Sequence, residues 1–97
     1  MARINIFYDS FYFMITAAQI RAARAMLRWP VRILAAESGV SVPTIQRMEL
    51  VSGIPSTLSR NLDAIRRTLE GAGIVFIDDD GNGVGVRLKP DRSDSLG

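Results

Sequence analysis

Apolar positions recur at three- and four-residue spacing through most of the chain, and the pattern changes to that of short strands only near residue 74. Ile20, Ala23, Met26 and Leu27 form the first such stripe, which predicts a helix with its inner face along those residues. Thr16 precedes it as an N-cap, and Gln19 stands three residues later to complete a capping box. Trp29 follows the end of this helix and reads as a core plug between it and the next. Pro30 opens that second helix, where a missing amide proton costs little. A later stripe, Leu58, Leu62, Ile65 and Leu69, predicts a helix that closes the core from the other side, with Ser56 or Thr57 as its cap and Gly71 and Gly73 as its stop. Residues 74–78 (IVFID) and 84–88 (VGVRL) flank DDGNG, the composition of two β-strands joined by a Gly/Asn/Asp turn.

Residues 31–50, VRILAAESGVSVPTIQRMEL, carry the densest information. Ala35 is small where two crossing helices need close approach, and Gly39 stands where the backbone must bend with positive φ. Ser41 is placed to cap the following helix, and Val40 just before it, with Ile45 and Met48 within it, occupies inward positions that glue this helix onto the one before. The 3.6-residue period then turns Val42, Pro43, Thr44, Gln46 and Arg47 outward. This is the pattern of a helix-turn-helix, in which the second helix enters the major groove of DNA.

Three segments in this order, AAQIRAARAMLRW, LAAESGVSVPTIQRME and SGIPSTLSRNLDAIRRTLEGAGIVFIDDDGNGVGVRL, together spanning roughly residues 14–90, resemble the Cro/C1-type (Xre) helix-turn-helix regulators. They are most similar to a small bacterial subgroup with a C-terminal β-hairpin. The resemblance implies a mainly α fold: a five-helix Cro/C1-type domain over residues 14–73, a hairpin over 74–90, a tail over 91–97 and an extension over 1–13. It implies that Val42, Pro43 and Arg47 are the main base readers, with Thr44 and Gln46 nearer the backbone or groove edge. Arg47 is the best single candidate, because a guanidinium can bind guanine O6 and N7 together. Ser41, Thr44, Gln46 and Arg32 are then expected close to phosphates. The chain departs from the family pattern at Pro30 and Val31, which stand where a small polar cap and a backbone-contacting Gln are usual.

Composition narrows the chemistry. The 97 residues are expected to form a single domain, with no cysteine or histidine to supply a disulfide, a thiolate metal site or the commonest general base. Enzyme chemistry and cofactors are therefore not expected. Net charge is only +2, but residues 14–70 are richer in Arg than in acid, which suits phosphate contact as readily as it reflects a GC-rich genome. Asp78, Asp79, Asp80 and Asn82 imitate the start of a calcium loop, yet Lys89 stands at its twelfth place and the flanks read as strands, so an acidic turn is expected and no metal site. No apolar run is long enough to span a bilayer, and no secretory signal is evident, which points to the cytoplasm.

Two functions stay open. In one, the protein binds a double-stranded DNA operator as a homodimer, paired through the exposed edge of the hairpin, and represses transcription. In the other it is an antiactivator or antitoxin-like adaptor that sequesters a regulatory protein. That partner would be held on an apolar face of Val31, Val42 and Pro43, or by the aromatic Phe7, Tyr8, Phe11 and Tyr12 of the extension. The extension itself reads as an added strand or arm, a partner-binding segment, or the product of an upstream translation start.

Overall fold

The computed structural model describes residues 14–90, which form four helices followed by a two-stranded antiparallel hairpin. The helices are α1 (Ala17–Leu27), α2 (Val31–Ser38), α3 (Val42–Leu50) and α4 (Ser59–Gly71), and the strands are β1 (Ile74–Ile77) and β2 (Gly85–Leu88). Strand register pairs Ile74 with Leu88 and Ile77 with Gly85. The expected fifth helix is absent among the described residues. Residues 51–58 cannot supply it, because Gly53 takes φ 78° and Pro55 lacks an amide proton. After α4 the chain turns at Gly73, φ 109°, directly into β1, and the hairpin packs against α1 and α4.

Local signals place the first three helices. Thr16 Oγ1 accepts from the Gln19 amide at 3.1 Å while Gln19 Oε1 accepts from the Thr16 amide at 2.9 Å, so the capping box closes both ways. Helix α1 ends at Arg28, a non-glycine residue held in the left-handed region at φ 58°, which turns the chain toward Trp29. Gly39 ends α2 at φ 77°, its amide donating to Ala35 O at 2.9 Å. Ser41 Oγ accepts from the Thr44 amide at 3.3 Å and starts α3.

Ile15, Ile20, Ala23, Leu34, Val40, Ile45, Met48, Leu62, Ile65, Leu69, Ile74 and Phe76 make one continuous core. Two members of the expected stripes are exposed instead, Met26 at 43% and Leu58 at 58%, and a third, Leu27, is only partly buried beside the core. Met26 sits about 120° around the helix from Ile20, at the edge of the buried stripe. Leu58 is the N-cap of α4 and so precedes the helix whose period would have buried it; neither Ser56 nor Thr57 caps that helix. Trp29 is half-buried, packed against the core without being enclosed by it. Leu27, Val31 and Ala35 also pack there from the side.

Gln19 has a second role. Its buried side-chain amide donates to Ile77 O at 3.0 Å and Gly85 O at 2.9 Å, bolting α1 to the last pair of the hairpin ladder. On the opposite side Arg66 lies over the Phe76 ring, 5.6 Å from its centroid, and its Nε is 3.2 Å from Glu70 Oε2. In the connecting turn Asp79 Oδ1 accepts from the amides of Gly81 and Gly83 at 2.8 and 2.9 Å. Those amides hold the Asp79 carboxyl below its ordinary value. Asp78 and Asp80 likewise accept from the amides of Asp79 and Asn82, so all three carboxylates tie the turn.

Candidate functional site

Helices α2 and α3 pack on each other across a turn of three residues, Gly39 to Ser41. Ser38 Oγ accepts from the Val40 amide at 3.1 Å, and the Val40 side chain is buried, so the turn is pinned from both sides. Ile45, Met48 and Glu49 form the inner face of α3, while Pro43, Gln46, Arg47 and Leu50 form its outer face. Ile45 and Met48 lie inward and Pro43, Gln46 and Arg47 outward as the helical period predicts, whereas Val42 and Thr44, expected to face outward, are half-buried at the flanks.

The outer face holds a short polar chain. Ser41 Oγ donates to Thr44 Oγ1 at 2.9 Å, and Arg47 Nη2 donates to the same oxygen at 3.2 Å. Arg47 pairs with no carboxylate among the described residues. Its guanidinium therefore keeps most of its five donors for another molecule. Arg32 is exposed in the first turn of α2, Gln46 and Pro43 are exposed on α3, and Val42 and Thr44 are half-buried.

The apolar face expected of Val31, Val42 and Pro43 is only partly open. Val31 packs against the core and Val42 is half-buried, which leaves Pro43 as its exposed member. Helix 2 rolls Val31 inward because, next to Pro30 at the N-cap, it shares the inner side with Leu34 and Ala35. Phe7, Tyr8, Phe11 and Tyr12 lie outside the described residues.

Sequence reasoning missed how α3 is held. Arg24 Nε and Nη2 donate to Glu49 Oε2 and Oε1, both at 2.7 Å, in a two-pronged ion pair with the carboxylate 9% exposed. The hydrogen bond to Glu49 raises the Arg24 pKa above its ordinary value, partial burial opposes it, and the Glu49 charge adds to the rise. Arg24 Nη1 also donates to Trp29 O at 2.9 Å, and Arg21 Nη1 donates to the Glu49 backbone oxygen at 2.6 Å. Two arginines of α1 thus grip the C-terminal turn of α3, satisfying a carbonyl that helix ends leave open. A signal existed: Glu49 follows inward-facing Met48 at a position that the helical period buries, and a buried carboxylate needs a cation.

A groove of about 610 Å³ opens beyond that grip, lined by residues of α3, the 51–58 connection and the start of α4. Thr44 and Arg47 stand on its α3 side. Among the described residues no helix is long and apolar enough to cross a membrane. Compared with known proteins, the chain matches no family model, no curated protein and no solved structure.

Proposed function

We propose that this protein is a small DNA-binding transcriptional regulator that places α3 in the major groove. One observation carries the reading: α3 presents Pro43, Gln46 and Arg47 to solvent while its inner face is fixed by the core and its C-terminal turn by Arg21 and Arg24. A reading helix needs that combination, since base-edge hydrogen bonds reward a side chain only when the backbone carrying it cannot shift. Arg47 donates two hydrogen bonds to a guanine edge, and the Pro43 ring meets a thymine methyl. Thr44 orients Arg47 from one side, and Ser41 and Arg32 lie where phosphates would flank the groove. The order of four helices with the tight α2–α3 turn resembles the Cro/C1-type regulators, and it supports the same reading.

One short helix spans only a few base pairs, so the working unit is a pair of domains on two half-sites. The hairpin supplies an edge for that pairing.

Selection from a pool of random duplexes, followed by titration at two salt concentrations, tests this. A defined site should emerge, and Arg47→Ala should lose about 1–3 kcal/mol at one base position with preference relaxed there. Few phosphates are engaged, because Pro30 and Val31 offer no polar contact, so the salt dependence should be shallow. Selection that enriches no site, or an Arg47→Ala protein with unchanged affinity and preference, would remove α3 as a reader.

A further inference from the structure

We infer that the groove at the C-terminal end of α3 receives an acidic amphipathic helix of a partner protein, which thereby competes with DNA for Arg47. Large apolar side chains crowd its rim: Leu50 is 84%, Leu58 58% and Val51 40% exposed, all within nine residues. Scattered exposed leucines are ordinary in a monomer, but a contiguous set around a concave floor marks a binding surface. Buried Met48 forms part of that floor.

The charges decide what fits. Arg47 is the one ionisable side chain lining the groove, and no carboxylate among the lining residues offsets it. At the other side Leu58 and Asn61 belong to the start of α4, whose N-terminus has no side-chain cap and no acid in its first turn. The open amides of a helix start carry a partial positive charge. An apolar trough between two positive ends is complementary to a helix with leucine-like residues on one face and carboxylates beside them. Phosphate backbone would satisfy the charges but would leave Leu50, Val51 and Leu58 against ions and water. A second copy would bury the apolar rim, but a two-fold contact turns the patch on itself and brings like charges together.

Binding itself is independent of what α3 reads; only the competition rests on the DNA-binding reading, because Thr44 and Arg47 belong to both surfaces. The probe is a fluorescein-labelled helical peptide of about 15 residues, long enough to hold a helix, with Leu on one face and Glu on the other. A twin peptide carries Lys in place of Glu. Titrated into the full chain without DNA, the Glu peptide should bind at least about tenfold more tightly than its twin. Leu58→Asp and Leu50→Asp should each weaken it by at least about tenfold, since both would place a carboxylate against the peptide's own acids. Both positions are solvent-exposed, and circular dichroism should report unchanged helix content for each.

Equal binding of the two peptides, or no binding of either, overturns the proposal. So does a Glu peptide indifferent to both variants. A concentration-dependent dimer that dissolves in Leu58→Asp would give the groove to a second copy, and variants that weaken duplex binding alone would give it to DNA backbone. Loss of duplex binding with peptide binding intact would instead remove only the reading role of α3.

Discussion

Helices α3 and α4 join the same core, but they are held in different ways. Helix α3 is fixed at both ends by directional bonds: Ser41 at its start, Arg21 and Arg24 at its finish. Helix α4 follows Leu58, an N-cap with no side-chain bond, and relies on Leu62, Ile65 and Leu69, all buried, packed toward α2 and β1. Hydrophobic burial sets how strongly a helix is held but is non-directional. Bidentate ion pairs and caps set where it lies. The helix whose outer face would read DNA is the one with its position specified by polar contacts, and the helix without such contacts borders an open apolar groove.

Removing the largest support on each side should expose this difference. Ile65→Ala should destabilise the protein by about 2–5 kcal/mol, the cost of a cavity at a fully buried isoleucine. Glu49→Ala should cost a comparable amount, about 3–5 kcal/mol, because it strands the Arg24 guanidinium without its counter-ion. Chemical denaturation measures both. Hydrogen exchange separates them: Glu49→Ala should speed exchange selectively in the last turn of α3, while Ile65→Ala should raise it across the whole core. A Glu49→Ala protein of unchanged stability would show that the ion pair merely accompanies packing that already fixes α3.

The two kinds of support also differ in how they show in sequence. Caps and turns act between residues two to four apart, so Thr16 with Gln19, Gly39, and Ser41 with Thr44 can be read directly from one segment. Core positions follow from period, which is why Val40, Ile45 and Met48 are buried as expected. Period fails where a stripe runs past the helix or off its centre, as with Leu58 and Met26. The same limit hid the absence of a fifth helix among the described residues, because order along the chain does not say whether a connection folds. Contacts across 25 residues, Arg24 to Glu49, or 58 and 66 residues, Gln19 to Ile77 and Gly85, depend on how finished elements meet. Arg21 and Arg24 read as surface charge when only the local sequence is considered. The groove was illegible for the same reason, since its walls come from three segments.

Loss of the α3 cap is a smaller perturbation. Ser41→Ala deletes both the bond from the Thr44 amide and the bond to Thr44 Oγ1, and should cost about 1 kcal/mol, or a fall of about 4–8 °C in Tm for a domain of this size. Because Thr44 also accepts from Arg47, this variant should weaken duplex binding beyond its effect on stability. A full cap effect on Tm with DNA affinity untouched would separate the cap from the reading face.

The mildest change should act in the opposite direction. Leu58→Ser installs on α4 the kind of cap that α3 already has, with a hydroxyl able to accept from an amide two or three residues on. The leucine it replaces is more than half exposed, so little burial is lost, and the gain should be about 0.5–1 kcal/mol with a rise of a few degrees in Tm, roughly 2–8 °C. The same substitution strips a large apolar side chain from the groove rim, so the acidic helical peptide should bind more weakly even as the protein becomes more stable. Opposite movement of stability and affinity is what a residue retained for binding should give. A lower Tm would instead assign Leu58 to packing, with its exposure understating what it contributes to the fold.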